Sequence, residues 1–515
     1  MKIGVAVAVL LLIPAAVGLG FGLRHEGARL GAVEGTLVVS QPMDFRFTDP
    51  ALAQRAAWEY EYATCAKLFD YDLRRRVVLD LASGVRAVPG GVAIRVRTGR
   101  RFSDGSALDA ADVAWTIQRV RSPRLQSPAA AYIRDVRSVD AQGGEVVLRL
   151  ARRVPDLRER LALPYFCVVP EGTEVNRLGA VAPPTAGPYY VVEHLPRRHL
   201  VLAPNPHYRG PRSRGPRQIV YTFGAFPAQV GLQIERGEAD YGPISTEEFG
   251  AFAERYGVNR ERAYMAPQPT IAFIALNTER PLFRDNPRLR QAVNLALDRR
   301  VLTRQLGAFG GEPTDQYLPA GTPGFRDVAI YPFEPDLERA RRVAKGHLRH
   351  GTAIYYTCSD SSCRSRAEAV QSALASIGLE VRIRIFFGAG VAARRVATRG
   401  AGFDLAEGFW RPEYPDPYGV LERLLGGGSI ERTENANIAY FHDPSVDREL
   451  ERVSRLEGPD RYRAFGELDV RLARDLAPIA AYATLNARAF VSARVGCVRF
   501  HPVYGLDLAA LCLRK

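Results

Sequence analysis

The stretch TIAFIALNTERPLFRDNPRLRQAVNLALDRRVLTRQL, residues 270–306, limits the fold more than any other part of the chain. Ile271 to Leu276 read as an apolar strand. The chain then turns through Asn277, Pro281 and Pro287, and the apolar spacing becomes helical, with Leu289, Ala292, Val293, Ala296 and Leu297 on the inward side. The theme recurs in YPFEPDLERARRVAKG, a helix, and in SRAEAVQSALASIGLEVRIRIF, a helix followed by an alternating strand. A chain of such units is expected to be α/β. Its 515 residues suffice for about two to four structural units. There is no strict sequence repeat and no low-complexity tract.

Nearer the start, TLVVS from Thr36 is a short strand and GGVAIRVRTG alternates through Val92, Ile94 and Val96, the mark of a half-exposed strand. Between them, QRAAWEYEYATCAKLFDYD predicts a helix with Ala57, Tyr60, Thr64 and Leu68 on one side. In FSDGSALDAADVAWTIQRV three acids precede an apolar run. Asp104-Gly105 makes a turn, Asp109 stands at a helix N-cap and Asp112 completes a capping box. These carboxylates are scaffold: they satisfy free backbone N–H groups and favour the positive end of the helix dipole. Acid–base catalysis would require a pocket and perturbed pKa values, of which the sequence gives no sign.

Composition narrows the compartment. Ile3 to Leu23 carry no charge and are long enough to cross a bilayer core. Residues 1–32 are therefore expected to be a signal peptide or an N-terminal membrane anchor, with the remainder exported. No cysteine precedes Cys65, so no lipid attachment at a cysteine following that run is expected. The six cysteines group as Cys65 and Cys167, Cys358 and Cys363, and Cys497 and Cys512. Outside the cytoplasm an even set reads as disulfides, although six cysteines allow 15 pairings. A zinc site needs more ligands at short spacing than the single CSDSSC offers, so no metal is expected. The formal charge of +14 is almost all arginine, for Lys2, Lys67, Lys345 and Lys515 are the only lysines. The arginines are scattered where a nucleic-acid binder would gather them on one face, and no nucleic-acid partner is expected.

Four motifs together resemble the peptide/nickel-type, family 5, solute-binding proteins of ABC importers. They are FSDGSALDAADVAWTIQRV, FIALNTERPLFRDNPRLRQAVNLALDRRVL, FDLAEGFWRPEYPDPYGVL and YFHDPSVDRELERV, in the family's order. The resemblance implies an α/β fold of two lobes joined by a hinge, with an additional inserted domain. Lobe one would comprise residues 33–75, 183–268 and 484–515, the inserted domain 76–182, and lobe two 269–483. In peptide binders of the family an aspartate in a W-x-x-D arrangement pairs with the ligand's α-amino group. The matching residues here are Trp410 and Glu413, with Tyr414 beside them. Glu413 keeps the charge and adds a methylene, and Trp410 would supply an apolar or cation–π wall. Arg411 departs from the usual small residue and could hold an anionic ligand group or neutralise Glu413.

The expected function is thus an extracytoplasmic receptor that delivers a peptide or similar small polar solute to ABC permease subunits, without cofactor or catalysis. Two alternatives share parts of this reading. One is a sensing receptor of the same fold. The other is an exported hydrolase, for which neither a G-x-S-x-G elbow nor an H-E-x-x-H motif is present.

Overall fold

The computed structural model describes residues 34–174, 182–212 and 214–514. The apolar run Ile3–Leu23 lies outside the described residues, and with it the expected signal or anchor. Among the described residues, no helix is long and apolar enough to cross a membrane.

Three sheets organise the molecule. In the first, Thr36–Gln41 runs parallel to Gln218–Phe223, which pairs antiparallel with His199–Pro204 and through it with Tyr189–Leu195. The second is wholly antiparallel, in the order Ala82–Val88, Gly91–Val96, Glu145–Leu150, Val136–Gln142. Its strands all come between the first and second strands of the first sheet in sequence, so it forms a domain inserted into that lobe. The third sheet builds the other lobe from six strands, in the order Gly311–Pro313, Ile479–Phe490, Ala263–Leu276, Leu405–Trp410, Thr352–Cys358, Glu380–Phe386.

The residues of the opening stretch account for the centre of this third sheet. Ala272, Ile274 and Leu276 pack into the core on one face, and Ile271, Phe273 and Ala275 into the core on the other. A strand covered on both faces needs an unbroken apolar run, and IAFIAL supplies it. The parallel pair Thr352–Cys358 and Glu380–Phe386 requires a crossover, which is the helix Ser361–Ala375. In the inserted domain the helix Ala110–Val120 starts as its acids dictate. Asp109 accepts from Ala111 N at 2.7 Å, and Asp112 accepts from Asp109 N at 2.9 Å. Asp112 also accepts from Glu171 N at 2.8 Å, which confirms the scaffold reading.

One helix is shorter than its spacing predicts. After a single 3₁₀ turn the α-helix runs only from Trp58 to Thr64, and Cys65 is already extended. The cause is tertiary: Cys65 is bonded to Cys167, and Leu68 and Phe69 enter the inserted domain's core beyond it. The other disulfides join Cys358 to Cys363 and Cys497 to Cys512.

Two long strands belong to both lobes. Ala263–Pro267 pairs with Asn486–Phe490 beside the first lobe's core, and Ile271–Ala275 pairs with Ile479–Thr484 inside the second. The register breaks between Pro267 and Ile271, where Pro267 and Pro269 have no N–H to give the ladder. This two-stranded ribbon is the hinge.

Candidate functional site

The strand Leu405–Trp410 continues into Arg411-Pro412-Glu413-Tyr414-Pro415-Asp416 and then the helix Pro417–Leu425. Pro412 and Pro415 cannot donate to a ladder, so the segment leaves the sheet. It meets the N-terminal lobe instead. Arg55 Nη2 donates to the Arg411 carbonyl at 3.0 Å, Arg411 Nη2 donates to the Val503 carbonyl at 2.8 Å, and Arg55 approaches Glu413 at 3.8 Å. Three segments far apart in sequence thereby form one site across the cleft.

Aromatic rings enclose it. The Arg55 guanidinium lies 4.4 Å from the Trp58 ring centroid, and Trp58 meets Tyr165 edge-on at 5.9 Å. Tyr132 and Tyr165 stack at 6.2 Å. Burial pushes the Tyr165 phenol up to about 12 and the Tyr132 phenol well up, and the neighbouring Glu413 charge adds to both shifts. Arg411 is brought down to about 9, first by burial and then by Arg55. Two cations thus share one cleft with Glu413.

Three polar atoms here are shielded from water without a hydrogen bond, Arg55 Nη1, Trp58 Nε1 and Arg411 Nε, and so is Trp410 Nε1 on the residue before Arg411. Leaving such a donor unsatisfied costs about 1–3 kcal/mol, and natural proteins keep few of them.

Of the residues singled out in the sequence, Arg411 and Glu413 meet Arg55 here, while Trp410, the residue before them, packs against the core of lobe two. Tyr414 lies between this point and the inserted domain. Its side chain is buried in the inserted domain's core, with its hydroxyl on Asp156 Oδ2 at 2.8 Å and its ring edge-on to Tyr132 at 6.1 Å. A side chain bonded and sealed in that way ties lobe two to the inserted domain. Arg55, Trp58, Tyr132 and Tyr165 were not foreseen. The one local signal was WEYEY, which sets two glutamates among three aromatics in a single short helix.

Those glutamates titrate far from their usual range. Burial is the main cause in both: Glu59 is pushed up to about 7, although it accepts from Leu506 N and Tyr241, and Glu61 to about 8. A raised carboxyl pKa stabilises the fold fully below the unfolded value of about 4.5, and that stabilisation is lost as pH rises to the folded value. Glu61→Gln is therefore expected to show a smaller fall in Tm between about pH 6 and about pH 9 than the parent. Equal falls in thermal melts of the two proteins would contradict this.

The sequence and fold were compared with known proteins. A family model described as bacterial extracellular solute-binding proteins, family 5 Middle, matches residues 77–431. The chain is 24% identical over 457 residues to the probable D,D-dipeptide-binding periplasmic protein DdpA of Escherichia coli K12, covering 85% of this chain and 86% of that one. It is 23% identical over 435 residues to the periplasmic oligopeptide-binding protein OppA of the same organism, covering 76% of each. Among solved structures, clavulanic acid biosynthesis oligopeptide binding protein 2 superposes with a TM-score of 0.84 at 24% identity, covering 93% of this chain and 96% of that one. The ABC transporter-associated periplasmic binding protein DppA from Helicobacter pylori, in complex with the peptide STSA, gives 0.76 at 17% identity, covering 93% and 98%.

Proposed function

Because the chain belongs to the bacterial extracellular solute-binding proteins of family 5, we propose that its cleft captures a short peptide or a similar zwitterion and presents it to an ABC permease. The observation that carries this reading is the pairing of charges at the end of the strand Leu405–Trp410. Glu413 has one ion-pair contact among the described residues, Arg55 at 3.8 Å, and a ligand ammonium would replace that long contact with a charge-assisted hydrogen bond. Arg55 Nη1 and Arg411 Nε, both unbonded, offer donors for a carboxylate. Trp410, half-buried at the end of the strand, gives a flat apolar wall. Binding needs no chemistry at this site, and affinity comes from burial with a few placed polar groups. The dipeptide- and oligopeptide-binding relatives support the ligand class, and the transporter-associated one supports delivery to a permease.

Mass spectrometry of solutes that co-purify with the protein identifies the ligand directly. Calorimetry tests the role of Glu413. Acetylating the amino group of a bound peptide is expected to weaken binding by about thirtyfold or more, and Glu413→Gln to abolish the difference between free and acetylated forms. A variant that still prefers the free amine to the same degree would remove Glu413 from the site.

A further inference from the structure

A concavity whose lining includes none of Arg55, Arg411 and Glu413 lies beside Asp156 and Asp416. It is a groove of about 800 Å³ between the inserted domain and lobe two. One wall is the inserted domain's sheet, with Val85, Val92, Ile94 and Leu150, and Leu157 closes its end. The other wall is lobe two, with Asp416, Glu457, Arg461 and Tyr462. The charges within it are unevenly matched. Asp416 is held by Arg461 at 2.5 and 2.8 Å, Asp156 by Arg160 at 3.0 Å, and Glu457 by Arg153 at 2.6 Å. Arg152 is held by Asp135 at 2.9 Å, and Arg158 is exposed on the rim. Glu159 has no ion pair among the described residues, and its Oε2 is shielded from water without a hydrogen bond.

We propose that this groove is a second binding site, for an amphiphilic amine whose hydrocarbon body lies along the sheet and whose ammonium meets Glu159. The apolar wall accounts for the body. The unpaired oxygen accounts for the head, since an ammonium is the donor that an unpartnered buried carboxylate lacks. Desolvation pushes the Glu159 carboxyl up to about 7; the neighbouring Asp416 and Asp156 charges add to the rise, and a backbone hydrogen bond and Arg461 oppose it. An occupant would touch both the inserted domain and lobe two. It would also lie against Asp156, which accepts a hydrogen bond from the Tyr414 hydroxyl.

Octylamine and octan-1-ol, which differ only in the head group, serve as probes for calorimetry and for ¹H–¹⁵N shift mapping on the purified protein. Octylamine is expected to bind about tenfold more tightly than the alcohol. Glu159→Gln should bring the two ligands to equal affinity. Ala87→Trp, an exposed position in the groove, should block both while leaving peptide binding at Trp410 unchanged. The proposal is overturned by equal binding of amine and alcohol to the parent protein, by an amine preference that survives Glu159→Gln, by shifts that map to the Trp410 cleft, or by no saturable binding.

Discussion

Replacing Cys65 and Cys167 together by alanine is expected to lower stability by about 4–5 kcal/mol, the entropy that a crosslink over a loop of this length removes from the unfolded chain. The two cysteines are 102 residues apart, and the inserted sheet lies between them. Both are buried, at 1% and 2% exposure, so the substitution also leaves a small void. The pair Cys358 and Cys363 provides the internal comparison. It spans only 5 residues, and the same relation gives about 2 kcal/mol for its removal. Urea unfolding of the two double variants beside the parent measures the contrast. Equal losses would mean that local packing, and not loop closure, sets the contribution of these bonds.

Arg461→Met is expected to cost about 3–5 kcal/mol, because it leaves the Asp416 carboxylate without a partner in an interior site. Arg461 and Asp416 are 3% and 1% exposed and joined by two hydrogen bonds. Burial already pushes the Asp416 carboxyl up, and Arg461 is its chief counterweight. Removing the guanidinium raises it further. A raised carboxyl pKa stabilises most below the unfolded value and loses that contribution as pH rises, so the deficit of Arg461→Met should shrink toward acid pH. Asp416→Asn combined with Arg461→Met should recover much of the loss. Asn can still cap the helix Pro417–Leu425, where Asp416 now accepts from Tyr418 N at 2.9 Å, and no bare charge remains. A double variant as unstable as the single one would show that the pair acts through geometry and not through charge.

What could be read in the sequence was local. The period change within residues 270–306 located a central strand and the helix behind it, because a strand buried on both faces has no polar positions to blur the pattern. Asp109 and Asp112 gave the start of a helix because capping is settled within three residues. The cleft was legible only from one side. Trp410, Arg411 and Glu413 lie in a single run, whereas Arg55 reaches Arg411 across 356 positions. Nothing near Arg55 or Tyr132 in sequence records that meeting. The contacts of Tyr414 were hidden for a related reason. Being next to Glu413 in the chain suggested a shared role, but the segment turns between them, and the phenol goes to Asp156 in the inserted domain. The end of the helix at Thr64 was likewise set by a bond to Cys167, which helical spacing cannot register.

The ribbon formed by Ala263–Leu276 and Ile479–Phe490 has a consequence for anyone dissecting the protein. The first lobe's core is completed by chain on both sides of the six-stranded lobe in sequence, Leu37 and Tyr221 before it and Val495 and Leu506 after it, so freeing either lobe takes two cuts. Both cuts fall within paired β-structure, and each fragment would carry raw, unpaired backbone edges. Neither half is an independently expressible module, and a truncated product should be recovered as aggregate unless its missing piece is supplied alongside.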